Sequence, residues 1–237
     1  MDRPLAVVTG AGRGIGRAAS AALAGSGYAI VAASRTEVEL EATARLVRGA
    51  GGAIETVTAD VGTEEGVARI FERARELNRP IRLLVNNAGT LERKEIERLA
   101  TADLDRTLAV NTRGAVLCAL FAYRTMLRSG GGCIVNIASL SGVAGVEKFP
   151  GLLPYVVSKF GIAGLTEALA AEGRPHGIRS VCLAPGAVDT DLLKRALPQL
   201  RAGVSPEEVA RLIVFLAGET AAPLNGLTIP LMSNLAG

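Results

Sequence analysis

The sequence has no tryptophan, one histidine and only three cysteines. Cys118, Cys133 and Cys182 are scattered, and two of them fall in predicted buried strands. We therefore expect small core residues of a reducing compartment rather than a disulfide framework or a zinc site. His176 lies in a predicted turn, which argues against histidine-based catalysis and against any metal site.

Aromatic residues and one-signed charge runs are also scarce. Aromatics make up 3% of the chain and the net charge is +3. Arginines alternate with glutamates, as in residues 72–76 and 92–95. That pattern is typical of solvated helix faces rather than of a nucleic-acid groove, so no nucleic-acid partner is expected.

Long apolar runs are missing as well. The longest uncharged windows, at 18–34 and 130–146, are interrupted by glycine, serine or asparagine, so no membrane span is expected. The first predicted strand begins a few residues from the N-terminus, which leaves no room for a signal peptide, and a cytoplasmic location is expected. A length of 237 residues suits a single domain covering residues 1–237.

What the sequence does contain is a glycine-rich turn at residues 9–16, between a predicted strand and an alanine-rich predicted helix. Glycine permits positive φ and close approach of a ligand, and a helix N-terminus attracts an anion. The spacing fits neither Gly-x-Gly-x-x-Gly nor a P-loop. The turn predicts a pyrophosphate site of a dinucleotide, although a turn without a ligand is the alternative. The candidate residues are Gly10, Gly14, Ile15 and Gly16.

The second predicted strand, residues 28–33, ends at Ser34 and Arg35. An acidic residue at this place in dinucleotide folds binds the ribose 2′-hydroxyl. Here two guanidiniums, Arg35 and Arg13, would instead suit a 2′-phosphate. We predict NADP(H) rather than NAD(H); the alternative is that both arginines are ordinary surface residues.

Strand and helix patterns alternate along the rest of the chain. Apolar runs at 54–58, 81–85, 133–138, 179–184 and 227–231 alternate with helical patterns at 37–48, 63–77, 101–128, 155–172 and 206–217. This alternation predicts an α/β fold, a single doubly wound Rossmann-like domain of about seven parallel strands with helices on both faces.

Ligands bind such sheets at the carboxyl ends of the strands. Asp60 is placed there to accept a bond from an adenine amino group, or else to satisfy local N–H groups. The remaining cofactor candidates at strand ends are Val61, Asn87, Ala88, Gly89, Pro185 and Gly186.

A proton-transfer site is predicted from Ser139, Tyr155 and Lys159, the last two sharing one helix face. Lowering a tyrosine pKa from about 10 to 7 takes roughly 4 kcal/mol. An ammonium at 4 Å supplies about 1 kcal/mol in water but about 4 at an effective dielectric near 20. Lys159 can therefore activate Tyr155 only in a partly dehydrated pocket. Asn111, in the middle of a predicted helix, either faces water or reorganises that helix.

Taken together and in order, these motifs resemble the short-chain dehydrogenases/reductases over essentially the whole chain. They are Thr9-Gly10-x-x-x-Gly14-Ile15-Gly16, Asp60, Asn86-Asn87-Ala88-Gly89, Asn111, Ser139, Tyr155-x-x-x-Lys159 and Pro185-Gly186-x-x-x-Thr190.

The resemblance implies roles for the site residues. Ser139 would polarise the substrate oxygen, Tyr155 would be the acid/base, and Lys159 would also bind the nicotinamide ribose. Asn111 would hold a water in the proton relay, and Val188 with Thr190 would hold the carboxamide. A homodimer or homotetramer acting on a small carbonyl or alcohol is expected.

Within the family the sequence is most similar to the 3-oxoacyl-[acyl-carrier-protein] reductases. Three stretches depart from their pattern: an extended loop carrying residues 147–150, a short segment between 190 and 205, and the tail 231–234. The substrate loops are expected at about 140–154 and 186–204. A dehydrogenase of a sugar, polyol or steroid and a non-catalytic NADP(H)-binding sensor remain alternatives.

Overall fold

A computed structural model describes residues 3–232 of the chain. The tail positions Ser233 and Asn234 lie outside the described residues. The predicted α/β fold is confirmed: seven parallel strands form one sheet in the order β3-β2-β1-β4-β5-β6-β7. The strands are β1 (Leu5–Thr9), β2 (Ala29–Ser34), β3 (Ala53–Thr58), β4 (Ile81–Asn86), β5 (Gly132–Ile137), β6 (Ile178–Pro185) and β7 (Thr228–Leu231).

Helices cover both faces of this sheet. They are α1 (Gly14–Gly25), α2 (Glu37–Gly49), α3 (Glu64–Glu76), α4 (Thr101–Leu108), α5 (Gly114–Ser129), α6 (Leu153–Gly173), α7 (Asp191–Ala196) and α8 (Pro206–Ala217). Helices α1, α2 and α8 pack on one face, and α3 and α5 on the other. Because both faces are covered, the central strands are mostly apolar, and this explains why their runs can be recognised in the sequence.

The chain reverses its winding direction between β1 and β4, which are neighbours in the sheet. At such a switch point the loops after the two strands diverge and leave a crevice. The glycine turn follows β1, and Asn87 follows β4. The topology therefore brings the sequence-predicted cofactor residues to one edge of the sheet.

The helix predicted over 101–128 is divided in two. Residues Ala109–Arg113 form a π-helical turn between α4 and α5, and Asn111 lies at its centre with only 1% of its surface exposed. Of the two alternatives for Asn111, the structure selects reorganisation of the helix. A π turn widens the helix by one residue and is frequent at functional sites.

The two expected substrate loops also contain local structure that the sequence did not indicate. Ser139 is followed by a 3-10 turn at Leu140–Gly142. The segment after β6 contains the six-residue helix α7, whose N-terminus is capped by the Thr190 hydroxyl. Among residues 3–232, no helix is long and apolar enough to cross a membrane.

Candidate active site

The glycine turn after β1 is locked to the end of β4. Asn87 donates its side-chain amide to the carbonyl oxygens of Thr9 (2.9 Å) and Gly10 (3.2 Å). The Thr9 hydroxyl accepts the N–H groups of Asn87 and Ala88, each at 3.1 Å. A Cβ on Gly16 would lie 2.2 Å from the Gly10 carbonyl oxygen, so only glycine allows this approach. The turn and the Asn87 segment thus form one rigid unit.

The N-terminus of α1 opens into a cavity above this unit. Arg13, its N-cap residue, makes no side-chain capping bond, and no acidic residue occupies the first turn. Free N–H groups and the positive end of a helix dipole together favour an anion. The sequence-predicted residues that line the cavity are Gly10, Arg13, Gly14, Ile15, Ser34, Arg35, Asp60, Val61, Asn87, Ala88, Gly89 and Thr190. Gly16 lies beneath the turn rather than in its lining.

Arg13 has a partner that the sequence analysis missed. Its guanidinium lies 3.2 Å from the Glu39 carboxylate, and Glu39 also lines the cavity beside Ser34. The pair is 26 residues apart in sequence, so no local pattern indicates it. A carboxylate at this end of the cavity opposes the positive charge on which the NADP(H) prediction rests.

Arg35 and Asp60, which are also expected at the adenosine end, differ in their hydrogen bonds. Arg35 is exposed, and its guanidinium has no hydrogen bond or ion pair within the described part of the chain. One carboxylate oxygen of Asp60 accepts the Gly62 N–H at 2.9 Å. Asp60 therefore satisfies a local N–H group, as the alternative reading held, while its side of the cavity remains open.

A second, larger cavity of about 460 Å³ adjoins the first and contains three of the four predicted catalytic residues. Ser139, Tyr155 and Lys159 line it together with Pro185, Gly186 and Val188. Both cavities share Ile15, Asn87, Gly89, Thr190 and Leu192 as lining. A dinucleotide extending from the first cavity would therefore end beside the catalytic residues.

Lys159 is the most constrained charged group in this site. It is 5% exposed, its ammonium donates to the Ile137 carbonyl at 2.8 Å, and Nζ lies 5.5 Å from the centroid of the Tyr155 ring. Burial disfavours the charged form and lowers the pKa of Lys159 to about 8. The lysine is thus an ammonium at neutral pH but a much stronger acid than an exposed lysine.

Tyr155 responds to burial in the opposite direction. Desolvation raises its pKa, and a hydrogen bond with the Ser139 hydroxyl lowers it by less. The activation of Tyr155 by Lys159 in a partly dehydrated pocket stays a prediction, and both side chains are buried where they line the cavity. Burial favours the neutral phenol of Tyr155 over the phenolate, because the charged form loses its hydration.

Asn111 does not line either cavity, but it connects the elements that do. Its side chain accepts the Thr90 N–H (2.7 Å) and donates to the Thr90 carbonyl (2.9 Å) and to the Ser158 hydroxyl (3.0 Å). Ser158 in turn donates to the Tyr155 carbonyl at 2.7 Å. The amide therefore ties the strand-end segment after Gly89 to the helix that carries Tyr155 and Lys159.

Comparison with known proteins agrees with this geometry. Residues 4–201 match the family model described as short chain dehydrogenase. The chain is 35% identical to a D-threitol dehydrogenase of Mycolicibacterium smegmatis, over 95% of this chain and 90% of that protein. It is 32% identical to a 3-oxoacyl-[acyl-carrier-protein] reductase of Aquifex aeolicus, over 95% of this chain and 94% of that one. The solved structure of levodione reductase superposes with a TM-score of 0.90 at 27% identity, covering 98% of this chain and 97% of that chain.

Proposed function

Because this chain belongs to the short-chain dehydrogenase family, we propose that it is an NADPH-dependent reductase that converts a carbonyl to a secondary alcohol. Family membership makes it an oxidoreductase of alcohol or carbonyl groups that uses a nicotinamide cofactor. The direction of reaction, the choice of NADP(H) and the substrate are the proposed part.

The burial of Tyr155 in a cavity that it lines together with Ser139 is the observation that supports the direction. A general acid for carbonyl reduction must hold its proton at neutral pH, and burial favours this form by raising the pKa of the phenol. An alcohol dehydrogenase would need the phenolate in the same place. Burial of the phenol therefore favours proton donation to a carbonyl oxygen.

The roles of the chain's own residues follow from this state. The reduced nicotinamide supplies the hydride when it is bound. Ser139 donates a hydrogen bond to the substrate carbonyl oxygen, and Tyr155 transfers its phenolic proton to that oxygen. The Lys159 ammonium stabilises the resulting phenolate.

Binding of the dinucleotide is assigned to the first cavity. The uncapped N-terminus of α1 and the close-packed glycine turn suit a pyrophosphate. Arg35, free of other partners among residues 3–232, is the cation proposed for the 2′-phosphate. Val188 and Thr190 would hold the carboxamide, and Asn111 would act in the proton relay.

The substrate is proposed to have an apolar body. Away from the catalytic residues, the wall of the second cavity consists mainly of Leu91, Leu140, Val146, Phe149, Leu152, Leu193, Leu197 and Leu200. Burying hydroxyl groups against such side chains leaves them without partners, which costs free energy. A 3-oxoacyl thioester or a cyclic ketone fits this wall better than a polyol does. The similarity to a D-threitol dehydrogenase keeps an NAD(P)-dependent alcohol dehydrogenase as the second candidate.

The test is a fluorescence titration with NADPH and NADH, followed by turnover of 3-oxoacyl thioesters, cyclic ketones and small sugar alcohols. We expect tighter binding of NADPH and turnover of the apolar carbonyls. Preference for NADH with turnover of polyols alone would favour the second candidate.

Replacing Tyr155 separates an enzyme from a cofactor-binding sensor. Tyr155→Phe should retain NADPH binding while turnover falls by about 10³-fold, within the range for loss of a general acid. Tyr123→Phe is the matched control, since Tyr123 bonds the Glu172 carbonyl on the outer helices, away from both cavities. Equal turnover in the two variants would contradict the assigned role of Tyr155.

The assignment of residues 1–237 to one domain, the homo-oligomer and the cytoplasmic location also stay predictions. An association of copies is supported by exposed apolar residues on α5 and α6, namely Leu120, Leu127, Leu153, Val157 and Phe160. Light scattering of the purified protein tests it.

A further inference from the structure

Three backbone carbonyl groups of the loop after Ser139 converge on one side-chain ammonium. Lys148 Nζ lies 2.6 Å from the Val143 oxygen, 2.6 Å from the Val146 oxygen and 3.3 Å from the Leu140 oxygen. A lysine ammonium has three N–H donors, so this set of acceptors uses all of them. Lys148 belongs to the extension at residues 147–150 that sets this loop apart by its length.

The ammonium acts as an internal cation of the loop rather than as a member of an ion pair. Within the described part of the chain, no carboxylate pairs with Lys148. Its ammonium instead lies over the face of the Phe160 ring, 5.5 Å from the ring centroid. Carbonyl dipoles and an aromatic face both favour a cation. The contact with Phe160 also attaches the loop to α6, one residue after the catalytic Lys159.

The loop has few other hydrogen bonds that hold its backbone in place. The Leu140 carbonyl accepts the Val143 N–H at 3.1 Å, whereas the Val143 and Val146 carbonyls accept from Lys148 and from no other group among residues 3–232. Without the ammonium, both carbonyls would lose their protein partner, and within the described part of the chain no other hydrogen bond holds the backbone of residues 144–147.

The position of this loop matters because its residues form one wall of the second cavity. Leu140 and Val146, both bound by the ammonium, line the cavity, and so do Glu147 and Phe149 on either side of Lys148. At its start the loop is packed tightly on the catalytic helix: a Cβ on Gly142 would lie 2.5 Å from the Lys159 carbonyl oxygen. The start of the wall, at Gly142, is thus packed on α6 directly, and Lys148 attaches the later part of the wall to the same helix through Phe160.

We propose that Lys148 is a positioning residue, a tethered cation that fixes the substrate-facing wall formed by residues 140–149. The assignment of the wall to the substrate rests on the proposed function, whereas the fixing of the loop does not. The inference therefore makes two measurable claims, one about loop structure and one about substrate affinity.

The first measurement is hydrogen exchange of backbone amides in Lys148→Ala. We expect faster exchange across residues 141–147 and unchanged exchange in the central strands. Ethylammonium, which carries an ammonium on a short stem, should slow the exchange again, whereas tetramethylammonium at equal ionic strength should not, because it has no N–H donor. Arg69→Ala, which removes an exposed cation on α3 outside both cavities, controls for the loss of charge.

The second measurement is steady-state kinetics with a carbonyl that the wild-type protein reduces. Lys148→Ala should raise KM by about tenfold with kcat and the NADPH dissociation constant nearly unchanged, because ground-state positioning is what is lost. Ethylammonium should reverse part of the change in KM. Unchanged exchange in the loop, or faster exchange with an unchanged KM, would overturn the proposal. If the wild-type protein reduces no carbonyl, the proposed function fails, while exchange and its reversal by ethylammonium still decide whether Lys148 holds the loop.

Discussion

The side-chain amide of Asn111 bonds both backbone groups of Thr90: its oxygen accepts the N–H at 2.7 Å, and its nitrogen donates to the carbonyl at 2.9 Å. Thr90 follows Gly89, which lines both cavities. The remaining N–H of the Asn111 amide is bound to Ser158. The side chain is thus occupied by protein groups, and any water of the proton relay would have to use its second oxygen lone pair or the backbone of the π turn.

Asn111→Asp is expected to inactivate the enzyme. The substitution places a carboxylate oxygen against the Thr90 carbonyl and replaces a donor that binds Ser158. Losing these bonds in a buried site costs about 2–4 kcal/mol, so both turnover and the melting temperature should fall. Asn78→Asp makes the same chemical change at an exposed position and should alter neither. Retained turnover in Asn111→Asp would show that the amide is not required.

Glu39→Gln is expected to shift cofactor preference towards NADPH. The carboxylate both neutralises Arg13 and would repel a 2′-phosphate, and both effects disappear in the variant. The pair is partly exposed, so the gain is about 1 kcal/mol, or roughly fivefold in the ratio of dissociation constants.

The matched control for this substitution is Glu37→Gln, in the same first turn of α2 but outside the cavity lining. It should change NADPH and NADH binding equally. An unchanged ratio in Glu39→Gln, measured by nicotinamide fluorescence, would mean that the Glu39 carboxylate does not oppose binding of the 2′-phosphate.

Lys159→Met is expected to be inactive but more stable than the wild type at pH 7. The folded-state pKa of about 8 lies below the ordinary value of about 10.4, a difference that corresponds to about 3 kcal/mol of penalty for the buried charge. The variant also loses the hydrogen bond to the Ile137 carbonyl, which costs it about 1 kcal/mol. Its free energy of unfolding should therefore exceed that of the wild type by about 2 kcal/mol.

The stability difference between Lys159→Met and the wild type should depend on pH. Between pH 8 and 10.4 the unfolded chain binds the Lys159 proton and the folded chain does not, so wild-type stability rises with pH in this window. The advantage of Lys159→Met should therefore shrink from pH 7 to pH 10. Urea unfolding at both pH values measures it, and a variant less stable than wild type at pH 7 would contradict a charge penalty at this site.

Two glycines of α1 provide a matched pair of substitutions. In Gly16→Ala the new Cβ would lie 2.2 Å from the Gly10 oxygen and 2.6 Å from the Asn87 amide nitrogen. In Gly25→Ala nothing lies within 4 Å of it. Gly16→Ala should destabilise the fold by about 3 kcal/mol and weaken NADPH binding, whereas Gly25→Ala should leave both unchanged or raise the melting temperature slightly. Similar behaviour of the two variants would mean that the turn adapts.

Much of the fold was predictable because the sequence carries local signals for it. The pattern Ser205-x-x-Glu208 is a local signal for a helix start, and the two residues bond each other's backbone N–H groups at 3.2 and 2.7 Å. The candidate active site was located from motifs at strand ends. By contrast, the pairing of Arg13 with Glu39 and the convergence of three carbonyls on Lys148 depend on distant or irregular backbone, for which periodicity gives no signal. For Asn111 the sequence indicated an anomaly but not its π-helical form.

The π turn at Ala109–Arg113 gives this part of the chain a fixed length as well as a fixed set of side chains. Helices α4 and α5 are out of phase with each other by one inserted residue, or about 100° of rotation. Deleting any single residue from α4 or the turn would let an unbroken helix form and would swing the Asn111 position away from Thr90. Relatives of this protein should therefore differ here by substitution and not by insertion or deletion, so this segment can anchor their alignment even where few residues are identical.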